Sequence, residues 1–307
     1  MIKKCTLILA MIPFVASLQA GIWDNIKSVF VAPEKPKPPM IKVLIAHDVE
    51  SAQLEVKGKH SIYDPYKHEH LSTHFQNKIG HVQTVPSGIK WGEEFPGVYQ
   101  VKIVPETRSS IIYVDGVPYK GSIVVYDVGG NISIVNEVEI EEYLRSTMSS
   151  KASDVTSDEA LAAVTIAQRT RAFYLAMSSS NPYWHVDAAN VGYYGYKSDP
   201  CDSRLLDAIA STRYMVISQT GSVYEGVITP IAVDVVYGQS KDKKGRQRVL
   251  ATSEAESLAQ KGENAAKILN RTFPNTSLEL SYNPGSSSTG SKHIAEAHTH
   301  HHSHEMR

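Results

Sequence analysis

Cysteine is nearly missing from this chain. Two of its 307 residues are cysteine, Cys5 and Cys201. Cys5 falls in an N-terminal segment read below as a removable leader, which leaves Cys201 alone. A lone thiol cannot close an internal disulfide, so the fold must be held by its core. Long apolar runs are scarce as well, and beyond the leader none approaches the ~20 residues that cross a bilayer. Charge of either sign is not in excess: 31 Lys and Arg stand against 32 Asp and Glu, a formal net charge of -1. A nucleic-acid binder neutralises phosphates with a basic face, so nucleic acid is a poor match as partner. With 42% apolar and 21% charged residues, a mostly disordered or collagen-like polymer is excluded.

What is present falls into four stretches. Lys3 and Lys4, the apolar run Thr6 to Ala16, and Ala20 before Gly21 read as a signal peptide over residues 1–20, with an apolar core too short to span a membrane. Export to the periplasm or another extracytoplasmic part of the cell envelope is the expectation. Residues 21–40 form a Pro-rich linker, in which Pro33, Pro36, Pro38 and Pro39 favour an extended spacer. From Asn283 to residue 307 the chain turns Ser/Gly-rich and then His-rich, with almost nothing to bury. His298, His300 and His302 could bind a metal there, but their spacing is irregular and the tail imposes no geometry. No metal site in the domain and no cofactor are expected. The folded body is residues 41–282.

The first part of that body carries strand signals. Ile41 to Ala46 is a compact apolar run, and Tyr99 to Val104 alternates with period two. Ile111 to Val114 and Val117 to Tyr119 flank Asp115-Gly116, and Ser122 to Val128 and Asn131 to Val135 flank Gly129-Gly130. Both read as hairpins. Thr156-Ser157-Asp158-Glu159 fits a capping box that opens an Ala-rich, largely buried helix to about Met177. A short helix over Asp202 to Thr212, strand-like sequence from Tyr214 to Val236 and one closing helix over Ser253 to Asn270 complete the pattern. His70 and His74 stand four apart, but the polar residues around them and Pro65 read as a surface loop. The expected class is α+β, an antiparallel β-rich N-terminal part packed with a buried Ala-rich helix, further strands and a C-terminal helix.

Several of these residues carry a likeness. Asn136 to Arg145, Glu159-Ala160-Leu161 and Ala167-Gln168-Arg169-Thr170 resemble, without a gap, the acidic-Tyr-Leu, Glu-Ala-Leu and Ala-Arg-Thr segments of the stage II sporulation protein D (SpoIID/LytB) family. Val117-Pro118-Tyr119-Lys120-Gly121 is similar to its Tyr-Arg-Gly strand. Leu258-Ala259, Gly262, Ile268-Leu269, Phe273-Pro274 and Thr276-Ser277-Leu278 are similar to its closing helix and end. The likeness spans about Ile41 to Leu278. It implies a protein of the cell wall that acts on peptidoglycan glycan strands, as a lytic transglycosylase or as the enhancer of an amidase. A cell-wall amidase or division protein would then be a further partner.

Glycan cleavage of that kind needs one acid that protonates the glycosidic oxygen and then acts as base. In the family this is the Glu of a Glu-Met-Pro segment, and ungapped counting from Tyr143 to Glu159 puts Lys151 there. An ordinary lysine, with a pKa near ~10.4, is charged at neutral pH and repels an oxocarbenium-like centre. Asp154 and Glu159 are the nearest substitute acids; Asp154 also suits a solvated loop and Glu159 its capping role. The family's Gly-His-Gly-Val-Gly-Met-Ser-Gln stretch corresponds to Gly245 to Thr252, now carrying Arg246 and Arg248. The region that holds zinc in some members, around Val186 to Tyr194, offers His185 and Asp187 but no thiol.

Part of a groove remains. Arg169 keeps the Arg of the Ala-Arg-Thr segment, and its five donors suit sugar hydroxyls or a carboxylate; on a buried helix it equally suits a local carboxylate. Tyr194-Gly195 matches a Tyr-Gly pair with Trp184, Tyr193 and Tyr196 around it, aromatic faces fit to bind pyranose rings or simply to edge a core. Three readings stay open: a wall-binding module without catalysis, a lytic enzyme in which another acid has taken over, and a scaffold using the Arg246 and Arg248 loop for a protein partner.

Overall fold

The computed structural model describes residues 37–196, 203–220, 228–239 and 248–282. Through Glu139 the described chain is strand and turn: β1 (Met40–Val49), β2 (Ser51–Lys57), β3 (His60–Asp64), β4 (Glu69–His74), β5 (Lys78–Val85), β6 (Gly88–Trp91), β7 (Glu93–Pro96), β8 (Gln100–Pro105), β9 (Ile111–Val114), β10 (Val117–Tyr119), β11 (Ser122–Asp127) and β12 (Ile132–Glu139). Then come α1 (Ile140–Met148), a single 3-10 turn (Ala152–Asp154), α2 (Asp158–Ser178), β13 (Val186–Asp187), α3 (Ala188–Val191), α4 (Ser203–Ser211), β14 (Met215–Gln219), β15 (Asp234–Val236), β16 (Val249–Ala251), α5 (Thr252–Gln260), α6 (Ala265–Thr272) and β17 (Thr276–Leu280). The fold is α+β with a β-rich N-terminal part.

Seven strands make one sheet in the order β13-β1-β12-β11-β8-β3-β4, and six make a second in the order β10-β9-β2-β5-β6-β7. Both expected hairpins form. Asp115 and Gly116 take φ of 48° and 80°, the type I′ pair whose twist matches the flanking strands. Past Gly129-Gly130, β11 and β12 pair from Asp127–Ile132 to Ser122–Glu137. Alternate residues of both sheets, Val43 and Ile103 from the first and Val56 and Ile89 from the second among them, join the buried face of α2 in one core.

Helix α2 can lie in that core because its inward positions are small. Ala160, Ala163, Ala167 and Ala172 are buried, so α1, α4, α5, α6, β1, β14 and β15 all approach it. The chain enters α1 straight from β12, which puts Tyr143 and Thr147 beside α2.

Four local expectations are corrected. The capping box does not form: Ser157, not Thr156, is the N-cap of α2 and makes no side-chain cap. The carboxylate of Glu256 on α5 takes the Thr156 and Ser157 amides instead, at 3.2 and 3.1 Å, together with both hydroxyls. Glu159 turns outward and accepts the Ala265 amide at 2.7 Å, holding the first turn of α6. The closing helix is two helices, because Gly262 at φ 84° ends the first and Asn264, accepting from Lys267 N at 2.9 Å, starts the second. His70 and His74 sit on β4 rather than in a loop.

Burial raises the pKa of the Glu256 carboxyl, but the hydrogen bonds from Ser157 and Thr156 outweigh it and bring the value down to about 2. A carboxyl depressed in the folded state adds stability that is complete above its ordinary value of 4.5 and fades as pH falls toward about 2. Glu256→Ala, which removes what is in effect an N-terminal cap, should cost about 1 kcal/mol at neutral pH. Urea unfolding at pH 7 and pH 2.5 should show that deficit shrinking at the lower pH.

Candidate functional site

A cleft of about 350 Å³ opens where α1, α2, α3 and β15 meet. Tyr143 and Thr147 reach it from α1, Gln168 and Arg171 from α2, Asn190 and Val191 from α3, and Asp234 and Tyr237 from β15 and just beyond. Lys151 enters from the turn after α1, its Nζ lying 5.0 Å from the centre of the Tyr237 ring. Lys151 therefore faces the cleft, against the Tyr237 ring.

The other charges of the cleft are Arg171 and Asp234, paired Nε to Oδ1 at 3.3 Å. Asp234 is the one carboxyl among the described lining residues, and its side chain is 47% exposed. That carboxylate is half-exposed to water and already engaged by a guanidinium rather than enclosed against a ligand. Tyr237 closes one wall: burial pushes its phenol up, opposed by the Gln168 amide that donates to it at 3.3 Å. Asp154 does not reach this cleft. It sits exposed on its 3-10 turn and lines a separate hollow with Tyr237, Thr252 and Glu256.

Arg169 points the other way. One residue along a helix turns the side chain by about 100°, so Gln168 and Arg171 share the cleft face while Arg169 enters the core. It is 1% exposed. Its Nε and Nη2 each donate to Glu141 at 2.9 Å, Nη1 donates to Thr212 Oγ1 and Met215 O, and Nη2 also donates to Ile209 O. All five donors are used, so the expected role in catalysis or ligand binding gives way to the local-carboxylate role.

The aromatic candidates divide. Tyr193 is 4% exposed; its hydroxyl donates to Asn136 Oδ1 and its ring stacks on Tyr143 at 5.6 Å. Burial drives its phenol far above the ordinary value. It is a core residue, which corrects its assignment to a ligand. Tyr194 is 62% exposed and lies outside the cleft, as does half-buried Trp184, whose ring meets His47 at 5.6 Å. Gly195 serves packing: at φ 75° an added Cβ would stand 2.5 Å from Pro118 O, the oxygen that accepts the Tyr196 amide. Zinc does not fit the family region. His185 Nδ1 accepts the Lys42 amide at 3.1 Å, and Asp187 accepts from Ala189 N at 2.8 Å. No group of three or more His, Cys, Asp or Glu among the described residues could hold a metal. His298, His300, His302, Arg246, Cys201 and residues 1–36 lie outside the described residues.

A model of the family described as Stage II sporulation protein, SpoIID, matches residues 128–218. An uncharacterized protein of Chlamydia pneumoniae is 31% identical over 252 residues, covering 81% of this chain and 84% of its own. This chain belongs to the SpoIID family. Uncharacterized proteins of Chlamydia muridarum, 35% identical over 52% of this chain and 55% of theirs, and of Brachyspira hyodysenteriae, 28% identical over 55% and 46%, are further relatives. No solved structure matches. Membership points to a cell-wall-related function. The matched stretch holds Lys151, Gln168 and Arg171, while Asp234 and Tyr237 lie beyond it.

The sequence reading missed Arg171, Asn190, Asp234 and Tyr237. Arg171 had a usable signal, since it stands three residues after Gln168 on one helix and so shares its face. Asp234 and Tyr237 had none, because their place depends on a strand far along the chain.

Proposed function

We propose that this SpoIID-family protein is exported to the cell envelope, binds peptidoglycan glycan strands in the cleft between α1, α2 and β15, and does not cleave them. One observation carries the reading: Lys151, which the likeness sets at the family's acid position, lines the cleft, and Asp234, the one carboxyl among the described lining residues, is half-exposed and tied to Arg171. An ordinary ammonium is too weak an acid to protonate a glycosidic oxygen well at neutral pH, and its charge opposes the oxocarbenium-like centre. The hydroxyl and amide groups of Thr147, Gln168 and Asn190 still suit a sugar. Export is supported by Lys3, Lys4 and the short apolar run after them. In this role the protein would bring an amidase or a division protein to the strand.

Purified protein incubated with glycan strands lacking stem peptides should release no anhydro-muropeptides by mass spectrometry, while co-sedimenting with insoluble wall material. Release of such products would overturn the non-catalytic reading, and failure to sediment would overturn the binding one.

A further inference from the structure

The cleft contains more positive charge than its own carboxyl can answer. Lys151 and Arg171 face Asp234 alone among the charged residues described there. Asp234 meets Arg171 through Nε, and the Nη groups of that guanidinium have no hydrogen-bond acceptor among the described residues. The Lys151 ammonium makes no ion pair or hydrogen bond with a described residue; its contact is the Tyr237 ring face. A ring face attracts a cation but leaves its three N–H donors without acceptors. Two cations with spare donors on one enclosed surface are a receptor for an anion, and a planar carboxylate is the group a guanidinium fork fits.

We infer that the cleft is a carboxylate site, in which the acid group of a glycan ligand is held between Lys151 Nζ and the Arg171 Nη donors, an inference that rests on the glycan-binding reading above. The substitution that removes proton delivery thereby acquires a use, since the charge that repels an oxocarbenium attracts the acid side group of a wall sugar. The remaining lining fits a small polar ligand: Thr147, Gln168 and Asn190 offer neutral donors and acceptors, and about 350 Å³ lies at the lower end of ligand cavities. The carboxylate has two possible sources, the lactyl ether of a muramic sugar without its peptide or the free end of a stem peptide.

Titration calorimetry on the full chain with three probes separates the outcomes. These are N-acetylglucosaminyl-N-acetylmuramic acid, the same disaccharide amide-linked to a stem peptide, and N,N′-diacetylchitobiose, which lacks the lactyl acid. The acid disaccharide, the peptide-bearing one or both should bind at least about tenfold tighter than chitobiose, and which does so identifies the source. Lys151→Met should reduce that preference about tenfold and Lys151→Arg should restore most of it; Arg171→Gln is a second, independent variant should Lys151→Met not fold. Equal binding of all three probes, or an unchanged preference in a folded Lys151→Met, overturns the carboxylate site and leaves glycan binding standing. No binding by any probe overturns both.

Discussion

Arg169→Met should destabilise the folded body by about 3–5 kcal/mol, the usual cost of removing one partner from a buried ion pair. Glu141 would be left with its carboxylate buried among α1, α2 and β14 and, among the described residues, with only the Tyr214 amide, at 3.2 Å, still donating to it. The loss spreads beyond the pair, because the same guanidinium ties down Thr212, Ile209 O and Met215 O. Those three anchors lie at the end of α4 and the start of β14, on either side of Tyr214, a non-glycine residue at φ 63°. Removing the clamp releases a strained joint as well as an ion pair. Urea unfolding should show a lower midpoint at unchanged slope. The double variant Arg169→Met/Glu141→Leu should recover most of the deficit, since replacing both charges leaves neither uncompensated. Arg169→Met protein that remains folded should bind wall material as the parent does, because the guanidinium does not face the cleft. A folded variant that lost wall binding with normal stability would return Arg169 to the ligand.

That contrast shows where sequence reading reached and where it stopped. Composition and turn chemistry carried the architecture, because Asp115-Gly116 and the alanines of α2 act through local backbone geometry and side-chain volume. The likeness singled out Lys151, and that side chain lines the cleft. Facing was harder: Gln168, Arg169 and Arg171 are near neighbours in sequence, but only the direction in which α2 packs decides which two meet the cleft. Capping failed for a related reason. Thr156 and Glu159 have the spacing of a reciprocal box, yet Glu256, a hundred residues away, supplies a better acceptor, and Glu159 is then free to hold α6. Tertiary partners overrode a local pattern in both cases. Helix α1 was hidden because Glu139, Glu141 and Glu142 lie among apolar residues that read equally as a continuing strand.

Gly121→Ala should be the most damaging substitution outside the buried pair, costing about 3 kcal/mol or more. Gly121 has φ 79°, and a Cβ there would stand 2.1 Å from Glu137 O and 3.1 Å from Val138 Cα. Those atoms are backbone of β12, so no side chain can rotate out of the way, and β11 must lift from its partner where Ser122 pairs with Glu137. The bend is fastened by Asn136, whose amide nitrogen donates to Lys120 O at 2.9 Å and Ser122 O at 3.0 Å, and whose Oδ1 accepts the Tyr193 hydroxyl. Tyr193 in turn stacks on Tyr143, a wall of the cleft. Gly121 thus acts on the cleft through packing, so wall affinity should fall along with stability. Gly116→Ala is the matched control, because φ is 80° but nothing lies within 4 Å of the added carbon. It should cost only the conformational part, about 1 kcal/mol. Comparing the two by thermal and urea unfolding isolates the close approach of the backbones, and equal losses would mean that φ alone keeps glycine at position 121.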